Sequence, residues 1–261
     1  MTTKGCNQLA MPQRNLSLRS AIASALGVVV LGTSFFLTVG EDKSRAEIIL
    51  QPAAGEDIYN SQNFVTLSNK AAVKSVMHET NGSLSIGNGA GRSGIIVAST
   101  QYNSASKSRA EMRIGDVTKG ANVAFSFDAA IDESFSKRNG VIMQMIGPPF
   151  NQPSFVLRVG SGKYQFSHGP NEKTVPLAPA VPGEFHTWSF FIKNHGSNAS
   201  FEVYMDGKFL YSSSGSTDNG QKKSVLRIGT YIGRDKKGNA TSYIDNIRLG
   251  SGIKSAVATS K

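Results

Sequence analysis

The chain has 261 residues, 39% of them hydrophobic, enough to bury a sizeable core, which excludes a compositionally disordered protein. Its formal net charge is +10, and because residues 1–46 hold five of the Lys/Arg and two of the Asp/Glu, the remainder keeps +7. A charge of that sign suits a polyanion, whether nucleic acid, anionic polysaccharide or an anionic lipid or envelope surface, or serves solubility alone.

In chain order, Lys4, Arg14 and Arg19 precede a near-continuous apolar run from Ala21 to Gly40, followed at once by Glu41-Asp42-Lys43-Ser44-Arg45-Ala46. This is the pattern of an export segment. Ser44 and Ala46 supply the small residues for cleavage after Ala46, and a run of about twenty residues is also long enough to stay as a membrane anchor. Either way residues 1–46 stand outside the folded domain, the basic flank stays inside, and the rest is exported to the periplasm or the cell exterior. The only cysteine, Cys6, precedes the apolar run, so the exported part has neither a disulfide nor a zinc-thiolate site.

Beyond the export segment, Glu47 to Asn60 carries Pro52 and Gly55 and reads as a wrap around a sheet edge. Short alternating runs then recur between Gly, Asn, Ser and Asp, which argues for an all-β sandwich in one domain over 47–250. Strands are expected at Val73–Met77, Ser83–Ile86 and Gly94–Ala98. The cluster Gly87-Asn88-Gly89-Ala90-Gly91 lacks the helix and Lys-Ser/Thr of a phosphate loop and reads as a turn.

Lys107-Ser108-Arg109-Ala110-Glu111-Met112-Arg113-Ile114 alternates charged and apolar residues strictly. A strand has a side-chain period of two, so Arg109, Glu111 and Arg113 fall on one face and Ala110, Met112 and Ile114 on the other. Asn122–Asp128 alternates again, whereas Gly140–Ile146 is apolar on both parities except for Gln144, the mark of a central strand buried on both faces. Phe155–Val159 and Lys163–Ser167 form a hairpin, Phe185–Ile192 is an aromatic strand holding the only Trp, and Phe201–Met205 with Phe209–Ser212 turns on Asp206-Gly207. Val225–Tyr231 and Tyr243–Leu249 close the sandwich, and 251–261 reads as a flexible tail.

The order of these pieces carries more than any one of them: Arg-x-Glu-x-Arg, then a central strand with Gln, a Trp strand, the Asp-Gly-Lys hairpin, Arg227-Ile228-Gly229-Thr230-Tyr231, and Tyr243-Ile244-Asp245-Asn246-Ile247-Arg248-Leu249-Gly250. From Ser99 to Gly250 the chain resembles the heparin-lyase-like and alginate-lyase-like polysaccharide lyases, with a concanavalin-type jelly roll. The resemblance implies β-elimination on a uronate-containing polysaccharide, in which donors neutralise the carboxylate beside C5, a base removes the C5 proton and an acid protonates O4. By that resemblance Arg109 and Gln144 hold the carboxylate and Tyr231 moves the proton, while Arg113, Arg227 and Glu111 bind substrate. A tyrosine, with a solution pKa of about 10, needs nearby guanidinium charge to act as a base.

Two positions depart from the family pattern. Ile146 stands where a histidine usually follows the glutamine, and Val225 where the alginate-lyase-like pattern has a tyrosine. His186, taken here as the catalytic substitute, or His168 would replace the missing imidazole. Each residue also has a plain structural reading: Arg109, Glu111 and Arg113 as a cross-strand charge ladder, Gln144 as a satisfied core amide, and His186 beside Trp188 as packing. The resemblance implies a monomer acting on an acidic polysaccharide rather than nucleic acid, reaching a membrane only through residues 21–40 if these are retained. It calls for no metal at the site and no cofactor, and leaves a structural calcium ion open. The alternative is a non-catalytic, concanavalin A-like carbohydrate-binding domain of the cell envelope.

Overall fold

The computed structural model describes residues 64–101, 107–137, 139–147, 153–169, 174–221, 223–233 and 238–257, without the side chains of 76–80. The expected export segment and the wrap at Glu47–Asn60 lie outside these residues.

The described chain is almost entirely strand: β1 (Val65–Thr66), β2 (Val76–Thr80), β3 (Gly82–Gly89), β4 (Arg92–Thr100), β5 (Ser108–Val117), β6 (Val123–Ile131), β7 (Gly140–Ile146) and β8 (Phe155–Gly160) come first. Then follow β9 (Lys163–His168), β10 (Val175–Pro179), β11 (His186–Lys193), β12 (Ala199–Met205), β13 (Lys208–Gly215), β14 (Ser224–Ile232), β15 (Ala240–Leu249) and β16 (Ile253–Ser255). Two short helices interrupt them, α1 (Asn69–Val73) and α2 (Glu133–Ser136).

The strands form two sheets. One runs β13-β12-β11-β6-β15-β4-β3 with β1 on β15, and the other runs β10-β9-β8-β7-β14-β5-β16 with β2 also on β5. The chain crosses repeatedly from sheet to sheet and the strand pairings among the described residues are antiparallel, so the fold is the expected all-β jelly-roll sandwich. Three hairpins close on two residues of positive φ, Ala90-Gly91, Ser161-Gly162 and Asp206-Gly207. This geometry matches the strand twist and accounts for the turn residues.

Alternation fills the space between the sheets. Phe125, Phe190 and Phe201 from one sheet meet Phe155 and Phe166 from the other, with Phe155 and Phe166 edge to face at 4.5 Å and Phe155 and Phe190 at 5.8 Å. One hydroxyl bridges the layers: Thr230 Oγ1 in β14 donates to the Ala98 carbonyl in β4 at 2.7 Å and lies 2.7 Å from Ser242 Oγ in β15.

Two local expectations, at Val73 and at residues 253–255, are corrected, and two elements, α2 and β10, were not expected. Val73 ends a helix rather than opening a strand. Asp132 caps α2 through its side chain, which accepts from the Phe135 amide at 2.8 Å, a signal the alternation masked. β10 forms despite Pro176 and Pro179 because it is the terminal strand of its sheet, where a missing donor is tolerated. Residues 253–255, expected in a loose tail, pair with Gly115 to Val117 of β5.

At the end of β14, buried His195 lies 2.9 Å from Thr217 Oγ1 through Nδ1 and 3.2 Å from Ser224 Oγ through Nε2. Burial pushes the His195 and His168 imidazoles down. The unfolded chain therefore binds protons more readily than the folded one near pH 6.5, so stability is full above that value and declines as the pH falls through it, by at most about 1.4 kcal/mol per pH unit for each histidine. Denaturant midpoints between pH 7.5 and 5.5 should fall, and His195→Gln should flatten the slope. An unchanged slope in that variant would remove His195 from the account.

Candidate active site

Strand β5 presents Arg109, Glu111 and Arg113 on the face of its sheet turned away from the core, opposite Met112 and Ile114. Its neighbour β14 presents Arg227 and Tyr231 on that face, with Leu226, Ile228 and Ile232 turned inward. Beyond β14, β7 contributes Gln144. The register sets Gln144, Arg227 and Arg113 in one row, and Val141, Tyr231 and Arg109 in another. Between the rows Glu111 faces Gly229, which has no side chain.

That gap organises the site into two layers. In the lower layer Glu111 is 0% exposed. Gln144 Nε2 donates to its Oε1 at 2.6 Å, while Arg109 Nε lies 3.0 Å and Arg227 Nη1 4.0 Å from its Oε2. Burial pushes the Glu111 carboxyl up, and Arg109, Arg227 and Gln144 oppose that shift. Two cations that offer donors only, Arg109 and Arg227, face the carboxyl, and Gln144 turns its amide nitrogen to it; we therefore read Glu111 as a carboxylate. Burial lowers the pKa of Arg227, which stays a cation because guanidinium is not deprotonated in proteins.

The upper layer reaches solvent. Arg109 is 19% exposed in its side chain, and its guanidinium carbon sits 4.6 Å from the centroid of the half-buried Tyr231 ring, within cation–π range. Arg113 turns to Asp116, which also holds Lys223 Nζ at 2.8 Å. Burial would raise the Asp116 carboxyl, but the bonds from Lys223 and Arg113 outweigh it and hold it low. Counting Arg109, Arg113, Arg227 and Lys223 against Glu111 and Asp116, the face keeps an excess of two positive charges.

The structure thus brings together six of the seven residues singled out from the sequence, at different depths. Glu111 and Arg227 were expected to touch substrate and are instead buried in the lower layer, as is Gln144 at 1% exposure, because β14 sits between β5 and β7 and draws them toward one carboxylate. His186 lies in the other sheet, with Nδ1 2.7 Å from Asp206 Oδ2 and its ring edge-on to Tyr164. His168 packs against Phe201 at 4.6 Å. Neither therefore joins the charged rows. Ile146 and Val225, the two departures from the family pattern, stand opposite each other on β7 and β14, both 3% exposed. The backbone of His78 stands opposite Glu111 across β2. Sequence reasoning missed Asp116 and Thr230, and it passed over Gly229, whose place inside an apolar strand was the readable signal of a close backbone approach.

Another cleft, of about 590 Å³, lies on the outer face of the opposite sheet over Phe191, Lys193, Glu202 and Ser212. It shares no residue with the charged rows. Among the described residues, the rows are where a phenol and several guanidiniums converge.

A family model described as Polysaccharide lyase matches residues 39–248. A search of curated proteins finds no match. Among solved structures, an alginate lyase from Corynebacterium sp. is 12% identical with a TM-score of 0.51, the alignment covering 71% of this chain and 92% of that one. A sialidase is 12% identical with a TM-score of 0.51, covering 77% and 19%. Alginate lyase AlgAT5 from Polysaccharide Lyase family 7 is 15% identical with a TM-score of 0.48, covering 80% and 100%. At these identities the likeness is one of fold.

Gly229 has φ +147°, and a Cβ there would stand 2.2 Å from the Ala110 carbonyl and 2.8 Å from Glu111 Cα. Gly229→Ala should cost at least about 2 kcal/mol, from strain and displaced backbone together. Thermal unfolding of the variant checks this, and a cost under about 0.5 kcal/mol would contradict the close approach.

Proposed function

We propose that this chain, which belongs to the polysaccharide lyase family and is a lyase acting on polysaccharides, cleaves a uronate-containing polymer by β-elimination over Arg109 and Tyr231. The observation that supports this most directly is the stacked pair itself: a partly exposed guanidinium lying against a phenol ring on a face with excess positive charge. The uronate is inferred from that charge and chemistry rather than from likeness of fold.

In this reading the free end of the Arg109 guanidinium takes the substrate carboxylate and withdraws charge from C5 as the proton leaves. The C5–H bond breaks and its proton passes to the Tyr231 oxygen; the C5 electron pair forms the C4=C5 double bond as the C4–O4 bond breaks, and O4, leaving with the electron pair of that bond, takes the proton back from Tyr231, so that one fragment ends in an unsaturated uronate and the other in a new reducing end. Tyr231 serves as proton carrier between C5 and O4, with the Arg109 guanidinium held against its ring. Gln144 acts from below by holding Glu111, and Arg113 with Lys223 forms a basic flank that draws in the polyanion. A domain that meets an extracellular polymer suits the export segment read from residues 1–46. The reaction written here uses no cofactor.

Ile146 favours a second reading. With isoleucine packed beside Val225 in place of the family histidine, the face would bind an acidic glycan without cleaving it. The two readings separate in one experiment. Incubation with glucuronan, alginate or a heparin-like polymer should generate the ultraviolet absorbance of an unsaturated uronate. Tyr231→Phe should abolish that absorbance while leaving binding nearly intact, since only the hydroxyl is lost. Arg109→Ala should weaken both, since it removes a donor present in the ground state and in the transition state. Binding by the wild type with no absorbance change on any of these polymers would select the second reading.

A further inference from the structure

Glu111 is a carboxylate with no exposed surface, placed beneath the residue that meets substrate rather than against substrate itself. From this geometry we infer that Glu111 is the positioning residue of the site: it fixes Arg109 from below, with Gln144 and Arg227 holding it in place. The inference rests on the lyase reading above and assigns a role that neither the fold nor the charge pattern of the chain requires.

Arg109 Nε lies 3.0 Å from Glu111 Oε2. This contact is an ion pair on the Nε side of the guanidinium and is not a hydrogen bond. What remains for a ligand is the outer pair of Nη groups, presented beside the Tyr231 ring at 4.6 Å. An arginine on a flexible stem would need to be ordered afresh for each turnover, whereas one held by a buried anion is ordered beforehand. The anion is itself fixed from the far side of β14: Gln144 reaches it at 2.6 Å across the space over Gly229, and Arg227 stands 4.0 Å from the same oxygen as Arg109. Replacing Gly229, Gln144 or Arg227 should therefore disturb Arg109 without touching it.

A negative charge below a cationic face also weakens that face toward a polyanion. Positioning and attraction are thus opposed at Glu111, and this gives the inference a signature that a merely structural residue lacks. Glu111→Gln keeps the shape and an acceptor but removes the charge. It should lower kcat by about tenfold or more through loss of ordering at Arg109, while the Kd for the same polymer stays equal or becomes several-fold tighter, most clearly at low salt.

The experiment measures kcat and KM by product absorbance, polymer Kd by titration of the Tyr231→Phe background with and without Glu111→Gln, and Tm for each variant. A fall in kcat with unchanged or tighter binding supports the inference. Unchanged kcat, or kcat and affinity lost together in a variant that keeps its Tm, overturns it and leaves the lyase reading standing. If Glu111→Gln does not fold, Glu111→Gln with Arg227→Gln removes the charge and one of its counter-charges together, and the same two outcomes decide. A wild type that binds without cleaving overturns the lyase reading alone; equal or tighter binding by Glu111→Gln then still supports a charge beneath the site, and weaker binding at unchanged Tm overturns it. A wild type that neither binds nor cleaves overturns both.

Discussion

The site depends on the enclosure of one carboxylate. Removing Glu111 from water costs several kcal/mol, a cost offset only by donors that are enclosed with it. The donors come from three adjacent strands, Arg109 on its own strand, Arg227 on the next and Gln144 on the one beyond. The electrostatic demand of a single buried charge therefore selects the strand order β7-β14-β5 as surely as the aromatic core selects the sandwich. Deleting one partner of such a cluster typically costs about 3–5 kcal/mol, because the others are left buried and uncompensated. The same demand explains why Gly229 sits between the rows: a side chain there would collide with the backbone of β5.

The two sheets contribute differently. The sheet carrying β11 and β6 supplies most of the aromatic mass, including Phe125, Phe127, Trp188 and Phe190, and burial of such rings supplies the main driving force for folding. The sheet carrying β5 and β14 bears the proposed site. Thr230 couples them: its inward hydroxyl bonds to β4 and β15 of the other sheet, while its neighbours Gly229 and Tyr231 serve the outer face. A strand that alternates between an inter-sheet hydrogen bond and an outward tyrosine holds that tyrosine to the rigid body of the sandwich, which is where a group that must stay aligned belongs.

Much of this was legible in the sequence, and the reason is periodicity. Lys107 to Ile114 alternates without error, so the facing of Arg109, Glu111 and Arg113 followed from the pleat alone, and the order of motifs placed Gln144 and Tyr231 on the same surface. Depth was not legible. Alternation tells which side a residue faces but not which strands are neighbours, and only the pairing of β14 with both β5 and β7 shows that Glu111, Gln144 and Arg227 form a sealed layer while Arg109 and Tyr231 remain accessible. His186 was misplaced for the same reason: its strand was read correctly, but the sheet to which that strand belongs is a long-range property. Ile146 faces Val225 only because β7 pairs with β14, a neighbour relation that alternation along either strand does not carry.

That apolar pair stands where the pattern the chain resembles has a histidine and a tyrosine, and the proposed chemistry rests on Arg109 and Tyr231 together on a face braced from beneath. The most direct test is the structure of the protein with an acidic oligosaccharide bound. A uronate carboxylate within hydrogen-bonding distance of the Arg109 Nη groups, with its C5 beside the Tyr231 hydroxyl, is the expected result. An oligosaccharide ordered instead over Phe191 and Ser212 on the opposite sheet, with Arg109 and Tyr231 untouched, would contradict the account.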